Sequence, residues 1–596
     1  MRILLSFLIS FIFFFYIGEL IVVINRKIPL IKKITPISHS VFGIILITFG
    51  IIIGIMSGID PLKTLIAWIS IGSGLGLIAH HILSKRYFLF PEAEARFAKK
   101  HEKGIDRLFE IFPGALTWLA LTSPIWLSFT LPFAVAYIIL IADIYWLFNA
   151  CKIAILIYIG YKKMNYAKSQ NWLEKLDADY PEEWQDYYQL VVIPTYKESL
   201  EVLKPAFDAI INSEYPNKKI FLGVGLEQRD DPGKIAEVQK YFEENAHKIG
   251  GAFITIHPYG LPGELAGPAT NRNFVINNAT KEFTKLKIDT EKVIVTTLDA
   301  DFVIHPQFLA GMLHKYLATP PRDRIRRSYT GVFLYYNNYW QAPAPMRLIA
   351  TGTAFWQLAE MVGSDKYSNF SSLSMNMKSL LDVGLWIPDK VNDDSGFYWK
   401  AYFHYNGHYK VVPHYMPISA DAVLDVTILK TIQNQYLQLK RWAYGVEHMP
   451  FIIRSYFNST EIDFWNKTDQ VLFKIWGDFK WGTLALFVTF AGLLIPIVNP
   501  HYTESAVAYN LPIVSSYILT GAFFGIFSTI YIHERTVPPR PKSWNFLEKF
   551  WSYIQWVLIP VIMVTISALP AIDAQTRLMF GKYMEFRTTV KARTKE

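Results

Sequence analysis

Three short stretches carry side chains whose types and spacing could do chemistry. In "VIVTTLDAD" two carboxylates, Asp299 and Asp301, stand two residues apart directly after an apolar run. On an extended chain both can reach toward one cation, or one can bind metal while the other meets a ribose hydroxyl; the bland alternative is a solvated turn. Mg2+ or Mn2+ held by one or two carboxylates plus substrate phosphates is the usual arrangement for a nucleotide diphosphate. In "VNDDSGFYWK" Asp393 and Asp394 precede a helix-like run. Asp favours a helix's first turn, so one is expected to cap, while an ionised neighbour could take a proton from an attacking hydroxyl. In "QLKRW" Gln438, Arg441 and Trp442 fall at i, i+3 and i+4, one face of a helix. An amide, a guanidinium and an indole there could hold a sugar ring and an anion, or anchor the chain at a membrane edge.

The elements that must position these groups are legible nearby. "YQLVVIPTYKES", "KKIFLGVGLEQRD" and "EKVIVTTLDADF" are apolar nearly throughout before they enter turns. Such runs suit parallel strands buried on both faces. Polar helical stretches such as "DPGKIAEVQKYFEENAHK" lie between them. Strand, loop, helix, strand predicts a doubly wound α/β domain over residues 187–450, with its ligand site beyond the carboxyl ends of the strands.

The rest of the chain is of another kind. Of 596 residues, 52% are hydrophobic and only 18% charged, against about a quarter charged in soluble domains. Apolar runs long enough to span a bilayer occur near 3–24, 40–57, 64–83, 113–131 and 133–159, giving an N-terminal region of five spans over residues 1–160. After residue 450, "FWNKTDQVLFKIWGDFKW" reads as interfacial helix over 451–480, and spans resume near 482–499 and 513–532 within a C-terminal region that runs to 570. The stretch 551–570 contains Pro560 and Pro570, each of which removes a helix donor. A kinked interfacial or re-entrant element is therefore expected there, followed by a cytosolic tail, 571–596. The net charge of +9 collects beside the apolar runs, which argues for topology signals and against a nucleic-acid partner. By the positive-inside bias residues 25–39 and 84–112 are cytosolic, and so is the α/β domain. The first run follows only two residues and lacks a small-residue cleavage site, so an anchor is expected rather than a signal peptide. The single cysteine, Cys151, excludes an intramolecular disulfide, and His404, His408 and His414 have no cysteine nearby to make a zinc site. The whole reads as an α-helical membrane protein with an inserted cytosolic α/β domain, multi-pass in the cell membrane and in contact with its lipid.

The order "VVIPTYKE", "LDAD", "NDD", "QLKRW" between two sets of spans resembles the membrane-embedded, processive branch of glycosyltransferase family 2, the cellulose synthase and hyaluronan synthase type. The resemblance implies a GT-A-like nucleotide-diphospho-sugar transferase fold and an inverting hexosyl transfer. The donor is a nucleotide-diphosphate sugar, a UDP-sugar favoured, and the acceptor a growing polysaccharide or a lipid-linked sugar. It places Thr195, Tyr196 and Glu198 at the nucleotide base. Asp299 and Asp301 fall at the diphosphate and its Mg2+ or Mn2+, and Asp394 at the catalytic base. Gln438, Arg441 and Trp442 fall against the diphosphate and acceptor. The family's second strand usually ends in Asp-Asp-Gly; here Glu227 or Asp230 must stand in. The family's lysine before a loop asparagine is absent near Asn271. "SLLDVGLW" resembles the element near the acceptor. In the tail, Phe586, Thr589 and Lys591 match the gating loop that closes over bound nucleotide in the cellulose synthase type.

Overall fold

The computed structural model describes residues 66–75, 102–363, 365–368 and 371–587, with a few positions between 44 and 51. The expected span at 3–24, most of that at 40–57, part of that at 64–83, and the tail positions Thr589 and Lys591 lie outside the described residues. Residues 102–456 and 470 onward form one compact unit, and residues up to 101 with 457–469 a second. In the second unit Ile66–Leu75 is a short apolar helix.

Two long helices, α1 (Glu102–Ser128) and α2 (Pro132–Ser169), lead into the α/β domain. At 1.5 Å per residue the 38 residues of α2 reach about 57 Å, far beyond a hydrocarbon core of about 30 Å. Its surplus is used for docking: Ile157 and Met164 join one apolar cluster with Val332, Phe355 and Leu358 of the domain. Gly160 admits this approach, since a Cβ there would lie 2.5 Å from Leu358.

The domain is an eight-stranded mixed sheet in the order β3-β2-β1-β4-β7-β6-β8-β5. The strands are β1 (Tyr188–Pro194), β2 (Ile220–Glu227), β3 (Gly251–His257), β4 (Val293–Thr297), β5 (Val303–Ile304), β6 (Arg327–Leu334), β7 (Leu373–Asn376) and β8 (Lys410–Ser419). β1, β2, β3 and β4 are mutually parallel, and β7 pairs antiparallel to β4. β2 and β4 are buried along their whole length, which is why they read as unbroken apolar runs. The helices that matter for the site are α3 (Pro268–Lys285), α4 (Ala344–Gly363), α5 (Asp393–His404) and α6 (Ile428–Ala443). Among the helices that follow are α7 (Phe464–Val498), α8 (Ala506–Thr536), α9 (Phe546–Ile554) and α10 (Leu569–Met579).

Among the described residues five helical runs are long and apolar enough to cross a membrane, at 102–128, 132–169, 464–498, 506–536 and 546–579. One boundary differs from the sequence reading. From Phe464 onward the expected interfacial stretch and the span after it are a single helix, α7, in which no proline occurs before Pro496 and a Lys474–Asp478 pair bridges one turn at i, i+4; the first part of that stretch belongs to a separate helix, Met449–Asn458.

The run 546–579 changes helix type twice. It tightens to 3-10 at Gln555–Leu558 ahead of Pro560 and widens to a π-helix at Met563–Ala568 ahead of Pro570. Missing proline donors explain both irregularities. Both ends of the run meet the α/β domain. Near its start, Arg347 Nε donates to Gln555 Oε1 at 3.0 Å and Trp340 packs on Trp544. Near its end, Lys440 of α6 pairs with Asp573 at 2.5 Å. In between, Ile566 packs against the Ala342–Met346–Ala350 cluster. Arg107 of α1 closes the run by donating to the terminal carbonyls of Leu578 and Met579.

Candidate active site

At the carboxyl end of β1 the chain turns through Thr195, Tyr196, Lys197 and Glu198. Glu198 draws the turn in: its Oε2 accepts from Thr195 Oγ1 at 2.9 Å and from Tyr196 N at 2.7 Å. Lys197 sits in the left-handed region at φ 71°, held there by its N–H on Asp230 Oδ2 at 2.7 Å. Glu227, at the end of β2, is buried; its carboxyl meets Arg229 at 3.4 Å and Asn271 Nδ2 at 3.4 Å. Burial raises its pKa, and Arg229 and His257 oppose that rise. The group presented outward is thus Arg229, whose guanidinium lies 4.0 Å over the Tyr196 ring and 5.3 Å over Tyr259. Gly225 makes room for this corner, because a Cβ there would fall 1.6 Å from Asn271 Oδ1.

Beyond β4 the acids gather. Asp299 is 41% exposed at its side chain. Its Oδ2 accepts from Ser371 Oγ at 2.8 Å, and its Oδ1 lies 3.9 Å from Arg272. Asp301 is buried, with Oδ2 accepting from the Asp421 N–H at 2.8 Å. Exposed carboxylate oxygen on Asp299 beside a second, anchored carboxylate is a hard-oxygen donor set of the kind Mg2+ or Mn2+ takes. Among the described residues no cluster of three His, Cys, Asp or Glu is placed to hold an ion. An ion held by this pair would draw its remaining ligands from phosphate and water.

Asp393 and Asp394 divide their work. Asp393 is buried and pairs with Arg272 Nη1 at 2.9 Å. Asp394 accepts the Ser371 N–H at 2.5 Å on one oxygen and the Ser395 N–H at 2.7 Å on the other. Ser371, itself at φ 54°, therefore touches both Asp299 and Asp394. Burial and the adjacent Asp393 push the Asp394 carboxyl up to about 6, against the pull of the two N–H groups and Arg272.

From the opposite side comes α6. Arg441 lies close enough to Asp299, Asp394 and Asp393 for all three to favour its charged form, while burial disfavours it. Its Nε is buried with no hydrogen-bond partner among the described residues, as is that of Arg577 on α10. Both arginines line a cavity of about 490 Å³ together with Asn434, Gln438, Tyr583 and Arg587. The Phe586 ring lies 4.8 Å from the Arg441 guanidinium and against Gly267. Thus Asp299, Asp394, Gln438, Arg441 and Phe586 come together from distant parts of the chain. Thr195, Tyr196, Glu198 and Glu227 form a neighbouring corner at the ends of β1 and β2. Trp442 follows Arg441 on α6. Trp386 of "SLLDVGLW" is buried under the Arg272 guanidinium; its carbonyl accepts from the Asn273 side-chain Nδ2 of α3 at 3.0 Å, and its N–H donates to Asn273 Oδ1 at 3.1 Å.

Sequence reasoning missed Arg229, Ser371, Arg272 and Arg577. For Arg272 there was a signal. The cation absent before Asn271 stands immediately after it, in "TNRN".

Residues 190–351 match the family model described as Glycosyl transferase family 2. No curated protein matches the chain. Among solved structures it is similar to a mannosyltransferase, PcManGT from Pyrobaculum calidifontis in complex with GDP-Man and Mn2+. That likeness has a TM-score of 0.37 and 16% identity, over 76% of this chain and 100% of the other. It is also similar to TarS 1-349 of S. aureus in complex with UDP-GlcNAc, at a TM-score of 0.30 and 13% identity over 59% and 93% of the two chains. GalNAc-T7 with UDP, GalNAc and Mn2+ gives 0.26 and 12%, over 52% and 57%.

Proposed function

We propose that this glycosyltransferase, built on a family 2 domain, moves a sugar from a nucleotide-diphosphate donor to an acceptor hydroxyl with inversion, and that it does so at a membrane surface. The observation that carries the reading is the convergence of Asp299, Ser371, Asp394, Arg272 and Arg441 at the carboxyl edge of β4. Tyr196 and Arg229 offer a flat cationic corner for the base. The Arg441 fork suits phosphate oxygens and opposes the charge that develops on the leaving diphosphate, where most of the work is electrostatic. Asp394 accepts the proton of the attacking hydroxyl while Ser371 fixes its position relative to Asp299. A divalent ion, held by Asp299 and Asp301 when bound, supplies further positive charge against the diphosphate.

The acceptor is a growing polysaccharide passed toward the apolar helices. A second reading, one sugar added to a lipid-linked acceptor, is favoured by Arg577, near the end of the apolar run 546–579: it lines the cavity, and its Nε has no partner among the described residues. Incubation of purified protein with a panel of radiolabelled nucleotide sugars, followed by sizing of the product, tests both. A polymer supports the first, a single-sugar lipid the second, and no transfer from any donor removes both.

Acid sensitivity follows from the Asp394 environment. A base must be ionised to take a proton, so turnover is expected to fall as pH drops through about 6. Arg272 holds that pKa down, so Arg272→Gln moves the acid limb to higher pH. A kcat profile between about pH 5 and 8 reads the limb, and an unmoved limb in the variant contradicts this role for Arg272.

Topology gives another expected result. Because both ends of the run 546–579 meet the α/β domain, we infer that it lies along the membrane face of that domain and that the tail shares the domain's cytosolic side. Lys582 is exposed. In a Cys151→Ser background, Lys582→Cys should label with an impermeant maleimide only after permeabilisation of the cells. Labelling of intact cells would place the tail outside and remove Phe586 from the site.

A further inference from the structure

Neither Glu447 nor His448 belongs to any motif above, yet both are aimed at the loop that carries Asp393 and Asp394. After α6 the chain tightens into a 3-10 turn, Tyr444–His448, which turns these two side chains back toward the start of α5. Glu447 Oε1 accepts the N–H groups of Val391 and Asn392, at 2.9 and 2.8 Å. His448 Nε2 meets the Asn392 carbonyl at 2.6 Å. In the other direction, Asn392 Nδ2 donates to the Arg441 carbonyl at 2.8 Å. Asn392 is the residue that precedes α5, and its side chain makes no cap to that helix; it is spent on α6 instead. His448 is fully buried, and its ring packs where a Cβ on Gly396 would come within 2.7 Å. Burial pushes the imidazole down to about 3, so the ring is neutral, and the Asn392 carbonyl fixes its one N–H on Nε2.

We propose that Glu447 is a positioning residue which, with His448, locks the Asp393–Asp394 loop to the helix that carries Arg441. The proton acceptor and the phosphate-facing cation then hold one mutual geometry through the reaction. Two backbone donors ahead of α5 would otherwise be buried without partners, and the loop would be free to shift. A displacement of about 1 Å at a reacting group can cost about 10²-fold in rate. This inference rests on the reading of Asp394 as base, and the test keeps the two apart.

Glu447→Ala removes the acceptor oxygen, whereas Glu447→Gln retains one that can take both N–H groups. The expected result for the alanine variant is a kcat lower by about 10²-fold, with equilibrium donor binding within about twofold of wild type, and a lowered thermal midpoint because two buried N–H groups lose their acceptor. The glutamine variant recovers most of that loss. A residue that merely stabilises the fold would lose donor binding in step with kcat at temperatures well below the thermal midpoint, and that pattern overturns the proposal. So does wild-type kcat in Glu447→Ala, or a glutamine variant no better than alanine. If the alanine variant does not fold, Asn392→Ala, which cuts the link to the Arg441 carbonyl, carries the same expectation of lowered kcat with donor binding kept. Asp394→Asn is assayed alongside. If it is inactive while Glu447→Ala is active, the lock alone is wrong; if it is active, the base assignment fails first.

Discussion

Asp394→Asn is expected to lower transfer by about 10³-fold, within the range that general-base groups contribute, while donor binding stays near wild type. The substitution keeps the shape of the side chain. Its amide oxygen can still accept one of the two N–H groups, from Ser371 or Ser395, that the carboxylate now holds. What it removes is the ionised oxygen able to take the acceptor's proton. Asp393 cannot inherit the task, because its carboxylate is buried against Arg272. Turnover with a labelled donor and equilibrium binding of the same donor, measured on one preparation, report the two effects separately. Wild-type turnover in the variant would remove Asp394 from the chemistry.

Arg441→Lys should lower activity more than tenfold, which is a rise of about 1.4 kcal/mol in the barrier. The charge survives this change, but the planar fork does not. Arg441 sits where a fork matters: its Nε is buried without a partner among the described residues, and its charge is felt by Asp299, Asp393 and Asp394. An ammonium at the end of a flexible stem is a point charge and cannot bind two phosphate oxygens in one plane. If the QLKRW face served only as a membrane anchor, turnover would be normal and the detergent extraction profile would shift. Assaying both properties on one sample decides between the two roles.

The strands around the site were readable because burial on both faces leaves no alternation, only apolar runs that stop where the ligand edge begins. Asp299, Asp301 and Asp394 were visible by position, directly after a buried strand or before a helix, and the order of all the motifs, not any one of them, set them apart from a solvated turn or a cap. Ser371 was not visible. It reaches Asp299 across 72 positions of sequence through the antiparallel pairing of β7 with β4, and nothing local to "SSLSMN" announces that pairing. Arg272 looked like an ordinary helical cation until Asp393 and Asp299 were brought to it from two other elements. The continuity of α7 was hidden by its composition, since a charged, aromatic half and an apolar half read as two elements although the backbone has no reason to stop between them. Single residues at strand ends are thus inferred locally, while their partners depend on strand order.

Phe586 stacks as a cover on the Arg441 guanidinium, 4.8 Å away, and the chain between them decides how that contact is held. The segment that carries it is tethered through α10, which is fixed to α6 by the Lys440–Asp573 pair and to α1 by Arg107. Only a few residues separate that fixed point from the aromatic ring, so the cover and the arginine meet as parts of one molecule. Short tethers of this kind give local concentrations on the order of millimolar. Any opening and closing of this contact would be a unimolecular equilibrium, indifferent to enzyme dilution. The same segment supplied as a free peptide, at any ordinary concentration, would fail to replace it.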